Sequence, residues 1–196
     1  NSQTVAQFKH GTATAGSAFV TTLAPATLTV DQSTTTTYDG RLSGALALTK
    51  TGSGSLTLSL GPNSLNGTVT VQAGTLTIGS ASSLGNSTNI AVEGGTLLLQ
   101  AADGITNTAC LRIADGATVS LAAGITETVQ TLIVGGVRKG SGTWGTTASG
   151  AEYTDDVHFA GTGKIYVSSG NSTLWDAGGA NTFISTPNNW DLDTRP

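Results

Sequence analysis

Aliphatic residues between Gly67 and Gly136 recur with a spacing of 21 positions. One column of such residues consists of Val69, Ile90, Leu111 and Leu132, and a second column, two residues further on, consists of Val71, Val92, Ile113 and Val134. Because the two members of each pair are separated by one residue, both side chains point to the same face of an extended strand. Each pair therefore predicts one short strand with one buried face.

A glycine-containing turn and a second alternating strand follow each of the first three pairs. The turns are QAG at 72–74, EGG at 93–95 and ADG at 114–116. The second strands are marked by Leu76/Ile78, Leu97/Leu99 and Val119/Leu121, the last of them one residue late. A further apolar column lies in the polar segments between the strand pairs, at Leu65, Leu84, Ile105 and Ile125. Three columns that share one period indicate a structural repeat of about 20 residues.

A repeat of this length that contains strands and lacks a helical pattern is typical of a stacked coil. About 20 residues at roughly 3.3 Å each give a perimeter of about 65 Å, enough for three short sides. Leu56 and Leu58 precede Leu76 and Ile78 by 20 positions, so the pattern begins one coil before its clearest part. We therefore predict an all-β fold, a parallel β-helix (β-solenoid) of about five coils over residues 40–136.

The two ends of such a stack need covers, because an open end exposes core residues and unpaired backbone groups. The sequence predicts a β-rich N-terminal capping or coupling segment at 1–39 and a C-terminal cap at 137–170. Residues 171–196, which contain Trp175 and Trp190, form a separate coupling segment in this interpretation.

Composition narrows the possible functions. The formal net charge is −4 and only 10% of the residues are charged, so no basic face is available for nucleic acid. A membrane span is not predicted, because no apolar run approaches the roughly 18 residues that one needs. The single cysteine excludes an intramolecular disulfide.

Candidate catalytic chemistry is sparse. The repeat region contains four carboxylates, Glu93, Asp103, Asp115 and Glu127, of which Glu93 and Asp115 occupy nearly equivalent turn positions. Carboxylates at solvent-exposed corners are more often solubilising than catalytic, and no basic residue recurs beside them. The sequence therefore predicts neither an enzyme nor a cofactor.

Two acidic clusters are weak candidates for a metal ion. One consists of Asp155 and Asp156 with His158, but adjacent residues of a strand point in opposite directions. The other consists of Asp176, Asp191 and Asp193, in the last part of the chain. We predict no metal site, and leave calcium at either cluster open.

Two segments resemble the autotransporter-associated β-strand repeat of large bacterial surface and secreted proteins. They are LTKTGSGSLTLSL at 48–60 and NGTVTVQAGTLTIGSASSLGN at 66–86. The segment 131–167 resembles the closing segment that follows such repeats, and WDAGGANTFISTPNNWD at 175–191 resembles the motif that opens a new module. The resemblance implies a parallel β-helix that is secreted or displayed at the cell surface, and it implies no reaction.

An opening motif placed last suggests that the C-terminal segment of one unit completes the N-terminal region of the next. The partners would be copies of this chain or adjacent modules of a longer one. The predicted interface residues are Trp175, Trp190, Phe183, Phe8 and Phe19. In the alternative, Trp175 and Trp190 fold back on their own chain as an ordinary cap.

Two classes of function remain from the sequence. The first is a non-catalytic structural module that stacks or links head-to-tail in a bacterial surface fibre or a long adhesin-like protein. The second is a carbohydrate-binding module in which Trp144 and Tyr153 stack on the sugar rings of a surface polysaccharide. Aromatic side chains exposed in a row would favour the second class, and aromatic side chains buried at a seam would favour the first.

Overall fold

The computed structural model describes residues 2–9, 17–81 and 83–169, which form β-strands and one short 3-10 helix, Thr147–Ser149. The strands are β1 (Gln3–Val5), β2 (Phe19–Asp31), β3 (Thr36–Tyr38), β4 (Arg41–Thr51), β5 (Ser55–Leu58), β6 (Ser64–Leu65), β7 (Val69–Val71), β8 (Thr75–Ile78), β9 (Asn89–Val92), β10 (Thr96–Leu99), β11 (Cys110–Ile113), β12 (Thr118–Leu121), β13 (Thr126–Val129), β14 (Thr131–Val134), β15 (Val137–Arg138), β16 (Gly142–Gly145), β17 (Tyr153–Thr154), β18 (Phe159–Gly161) and β19 (Lys164–Val167). Among these residues no helix is long and apolar enough to cross a membrane.

The strands wind into a parallel β-solenoid, which confirms the predicted fold class. One face is a sheet in the order β1-β2-β4-β7-β9-β11-β14-β15, with β6 also paired to β4. A second face is a sheet in the order β18-β12-β10-β8-β5-β3. Six strands, β2, β4, β7, β9, β11 and β14, succeed one another along the first face, so the solenoid has about six coils rather than about five. The additional coil comes from β2 and β3, which precede residue 40.

Both predicted 21-residue columns lie in register inside the solenoid. Val69 pairs with Ile90, Ile90 with Leu111, and Leu111 with Leu132. The second column pairs in the same way from Val71 to Val134, and all eight side chains are at most 3% exposed. Burial of one aliphatic column on another stabilises each coil by about 1.5–3 kcal/mol per side chain, so a coil depends on its neighbours.

The second face repeats this arrangement with the predicted offset. Leu76 pairs with Leu97, and Leu97 with Val119, because Thr96 pairs with Thr118 after a step of 22 residues. Thr75, Thr96 and Thr118 head these strands, and their side chains are half-buried. β-branched and aliphatic residues favour this pleated surface, so the local preference and the packing agree.

Glycine lets consecutive coils approach closely at one corner. Gly74 has φ +65°, in the left-handed region that side chains disfavour. A Cβ at this position would lie 2.5 Å from the carbonyl oxygen of Gly52 and closer still to that of Gly54, in the preceding coil. The corner therefore requires glycine for two reasons, conformation and space.

The two ends of the stack are closed differently. At the C-terminal end, β15 folds back antiparallel on β14, β18 extends the second face, and β19 pairs with β13 and antiparallel with β16. At the N-terminal end, β1 pairs in parallel with only the last part of β2, at Leu28–Val30. The C-terminal end is thus covered by the chain's own strands, whereas much of the N-terminal edge has no partner among the described residues.

Candidate functional site

The N-terminal edge, defined here as Phe19–Thr22 of β2, is a strand edge that has no partner among the described residues. On one side these residues pair with Arg41–Gly44 of β4. On the other side no strand of residues 2–9, 17–81 or 83–169 pairs with them, because β1 reaches only Leu28–Val30. A strand edge with free N–H and C=O groups is a template for adding another strand.

Apolar side chains surround this edge. A register shift between Thr22 and Ala26 places the intervening residues outside the sheet ladder. Leu23, in this bulge, is fully exposed and Phe19 is 63% exposed, whereas Val20 is half-buried and packs on the core. A shallow groove beside the edge is lined by Gln3, Val20, Thr21, Thr22, Ala26, Thr27, Leu28 and Leu46. Exposed aliphatic and aromatic groups next to an open strand edge indicate an interaction surface.

Phe8, predicted at an interface, contacts its own chain. Its ring stacks on Tyr38 with centroids 4.2 Å apart. Its N–H lies 3.3 Å from Oε1 of the buried Gln32, and its carbonyl accepts from the Thr36 hydroxyl. Residues 2–9 therefore cover the start of the second face and leave the Phe19–Thr22 edge beside them uncovered.

The remaining predicted interface residues, Trp175, Phe183 and Trp190, lie outside the described residues. The same is true of the acidic group Asp176, Asp191 and Asp193. These assignments stay predictions.

Trp144 and Tyr153, the predicted sugar-stacking residues, stack on each other. Their ring centroids are 4.6 Å apart, and the two residues pair across β16 and β17. The indole N–H of Trp144 donates to the Gly140 carbonyl at 3.0 Å, and Lys139 Nζ lies 5.4 Å from the Trp144 ring. Trp144 is half-buried against the core cluster, so Tyr153, which is 46% exposed, presents more of the free aromatic surface.

Asp155 and Asp156 use their carboxylates inside the C-terminal cap. Asp155 accepts from the N–H groups of Val157 and His158 and from His158 Nδ1 at 2.8 Å. Burial opposes ionisation of Asp155, but the bonds from His158 and Val157 outweigh it and hold its pKa below the usual value. Bonds from the Thr147 hydroxyl and N–H lower the pKa of Asp156. Both carboxylates thus accept hydrogen bonds from groups of the cap and stabilise its turns.

His158 links this cap to the solenoid. Its Nε2 lies 3.6 Å from Asp115 Oδ1, in the turn between β11 and β12. No group of three or more His, Cys, Asp or Glu side chains within the described ranges is placed to hold a metal ion.

Glu93 and Asp115 lie in the turns of successive coils, at positions that differ by one residue. Glu93 bonds to Gln72 in the preceding coil at 3.1 Å, and the equivalent position in the next coil is Ala114. Asp115 follows one residue later and faces Gly135 and His158. The two carboxylates therefore have different partners, Gln72 for Glu93 and His158 for Asp115.

Glu127 is a buried carboxylate that the apolar pattern did not reveal as such. It occupies an inward position of β13, opposite Ile165 of β19, and is fully buried. Its oxygens accept from the N–H groups of Gly104 and Ile105, at 3.2 and 3.0 Å. Burial raises the pKa of Glu127 to about 7 against the opposing effect of these bonds. The predicted column member Ile125 is only half-buried, because the strand begins one residue after it.

Lys50 is the second buried charge, and it lies within an aliphatic column. Val30 and Val71 flank it in register on adjacent coils, and its side chain is fully buried. Its Nζ donates to the carbonyls of Thr51, Gly52 and Ala73. Burial lowers the pKa of Lys50, which the charge of Asp31 partly offsets. Lys50 and Glu127 could have been found in the sequence as charged residues at strand positions that apolar residues occupy in the neighbouring coils.

Lys50 and Glu127 are enclosed in the stack and bonded to backbone, and the acidic groups of the cap are bonded to its own turns. Lys50 and Glu127 are therefore not accessible to a substrate, whereas Asp156 is exposed but bonded to Thr147. The geometry that remains open to solvent is a strand edge with apolar side chains, which is suited to recognition of another chain.

The fold defines the class of the protein as a parallel β-solenoid built from repeats of about 20 residues. Residues 48–78, which run from β4 through β5, β6 and β7 to the end of β8, match the family of the passenger-associated-transport-repeat. This part of the β-solenoid is therefore similar to an autotransporter-associated repeat, as the resemblance implied. A search of curated proteins and a search of solved structures found no match.

Proposed function

We propose that this chain is a non-catalytic structural module of a secreted or surface-displayed bacterial protein, and that its units link head-to-tail. The observation that carries the proposal is the difference between its two ends. The C-terminal end is covered by β15, β18 and β19, whereas the N-terminal end keeps the open edge Phe19–Thr22 among the described residues. A contact between unlike ends does not close on itself and continues as a filament.

The repeat itself supports the extracellular part of this proposal. Passenger-associated repeats are named for the transported part of autotransporter proteins, and residues 48–78 carry one. A stack of about six coils at about 4.8 Å per coil is roughly 29 Å long, so such a module acts as a rigid spacer of defined length. Linked units would extend this spacer into a fibre or an adhesin-like stalk.

Removal of residues 171–196 tests the linkage. We expect the full chain to form particles that lengthen with concentration, and the truncated chain to stay a single unit. Electron microscopy and sedimentation velocity measure particle length and mass. The truncated chain should keep the far-ultraviolet circular dichroism of the solenoid, since the described strands end at Val167. Unaltered assembly after truncation would rule out a role for this segment.

Binding to surface polysaccharide stays a prediction, with Trp144 and Tyr153 as its residues. Replacing Tyr153 by alanine removes the more exposed ring of the pair. If a sugar ring stacks there, retention on a polysaccharide matrix should fall about two- to tenfold, because one aromatic stack is worth about 0.5–1.5 kcal/mol. Val157→Ala, which trims another exposed apolar side chain of the cap, is the control, and equal retention of both variants would exclude the aromatic pair.

A further inference from the structure

The backbone of the N-terminal edge has a defined orientation. The carbonyl of Ala18 accepts from the N–H of Arg41, so the polar groups of Ala18 face β4. Alternate residues of a strand direct their backbone groups to opposite sides, which makes Val20 face β4 as well and directs Phe19 and Thr21 the other way. Among the described residues, the backbone groups of the edge that have no partner strand are therefore those of Phe19 and Thr21.

A strand placed on this edge would continue a ladder that already exists. β1 lies on the same side of β2, parallel to it, with Gln3 opposite Leu28 and Val5 opposite Val30. The unoccupied part lies beyond the bulge at Thr22/Ala26 and has room for about four residues. A side chain directed inward there would contact Val20 and Leu46, which line the groove.

The sequence beyond the structure supplies one segment with the required pattern. The last described residue, Ser169, bonds to the Gln130 carbonyl at the C-terminal end of the stack. The chain that follows emerges at the end opposite the Phe19–Thr22 edge. It contains TFIST at 182–186, which combines β-branched and aromatic residues and is followed by Pro187.

We propose that the edge Phe19–Thr22 accepts a β-strand from a second copy of this chain, and that residues 182–186 supply the strand. The inference rests on the head-to-tail linkage proposed above and identifies its two complementary surfaces. The added strand bonds to the free groups of Phe19 and Thr21, and Phe183 or Ile184 packs on Val20 and Leu46. Exposed Phe19 and Leu23 are covered at the rim of the contact.

One substitution on each surface tests the proposal in the full chain. Thr21→Pro removes a free N–H of the edge and leaves the bonds to β4 in place, since proline is tolerated on an edge strand. Thr21→Val keeps that N–H and is its matched control. Phe183→Asp places a charge in the proposed donor strand, and Ser172→Asp adds the same charge outside it. Far-ultraviolet circular dichroism of each variant verifies that the solenoid is retained.

We expect the wild type and the two controls, Thr21→Val and Ser172→Asp, to associate. Thr21→Pro and Phe183→Asp should each sediment as a single unit, with an association at least tenfold weaker than that of the wild type. A mixture of the two defective chains should form a dimer and no longer species, because one retains only the donor and the other only the acceptor. Sedimentation velocity of the mixture at several concentrations gives the result.

Each contrary outcome overturns a different statement. If Thr21→Pro assembles like the wild type, the edge is not the acceptor, although head-to-tail linkage through another surface stands. A second outcome is that Thr21→Pro fails to associate, Phe183→Asp associates normally and the wild type forms only a dimer. The contact would then join two N-terminal edges. If the wild type itself remains a single unit at about 100 µM, both the edge and the linkage are wrong.

Discussion

Replacing Gly74 by alanine is expected to destabilise the solenoid by more than about 3 kcal/mol, enough to prevent stable folding of a marginal repeat. A Cβ at Gly74 would lie 2.5 Å from the Gly52 carbonyl oxygen, and its neighbours are backbone atoms of the preceding coil that have no freedom to rotate away. The positive φ adds about 1 kcal/mol of strain. Equilibrium unfolding in urea, or loss of soluble protein, measures the effect.

Gly116 provides a matched control for this substitution. It occupies the corresponding turn two coils later with φ +81°, and a Cβ there has nothing within 4 Å. Gly116→Ala should therefore lower the free energy of unfolding only by the backbone strain of alanine at positive φ, about 1 kcal/mol. Equal losses in the two variants would mean that the close approach of the coils at Gly74 does not matter.

Replacing Glu127 by glutamine is expected to remove a pH dependence of stability of about 3 kcal/mol. The native pKa of Glu127 is about 7, raised from 4.5 by burial, so the folded state binds more protons than the unfolded state between these values. Its contribution to stability is fully present below about pH 4.5 and is lost as the pH rises through about 7. A difference of about 2.5 pKa units corresponds to about 3 kcal/mol.

Unfolding free energies at pH 4, 6 and 8 measure this dependence. Glutamine resembles the protonated carboxyl group, since it accepts from one of the N–H groups of Gly104 and Ile105 and cannot ionise. The stability of Glu127→Gln should then vary less with pH than that of the wild type. Glu93→Gln, which changes an exposed carboxylate on the same stack, should keep the wild-type slope. A Glu127→Gln variant with the wild-type slope would show that Glu127 ionises freely in the fold.

The two predictions describe the same property of a stacked fold. Every coil lies against the next at backbone distance, so one added methyl group or one buried charge acts on two or three coils at once. A module built in this way is stiff along its length. Side chains that differ in charge or polarity can therefore be exchanged freely only at its ends and on its outer faces.

The repeat period could be predicted because the registered columns are a local property of the chain. Val69, Ile90 and Leu111 needed only a count of positions, since parallel coils of equal length place them on top of one another. The late step to Val119 was also visible, as one additional residue in the turn. The first coil was missed because β2 shifts register between Thr22 and Ala26, and because the charged Lys50 interrupts the apolar column between Val30 and Val71.

The candidate sites were harder to predict, because each depends on what lies in the neighbouring coil. Glu93 and Asp115 have nearly the period, yet one additional turn residue directs Asp115 to His158 in the cap. Trp144 and Tyr153 look like two separate aromatic residues in the sequence, and the pairing of β16 with β17 stacks them. Lys50 and Glu127 were missed because a charged residue suggests exposure, and only its place in line with apolar residues indicates burial.

The sequence by itself determined the winding of this protein, since a period near 21 with alternating aliphatic residues allows only stacked strands to bury them all. Tertiary structure decided which backbone groups have no partner. Within residues 2–9, 17–81 and 83–169, the bulge in β2 and the limited reach of β1 leave Phe19 and Thr21 at an edge without a paired strand. Whether a strand edge is free depends on segments distant in the chain, and no local pattern of residues encodes that.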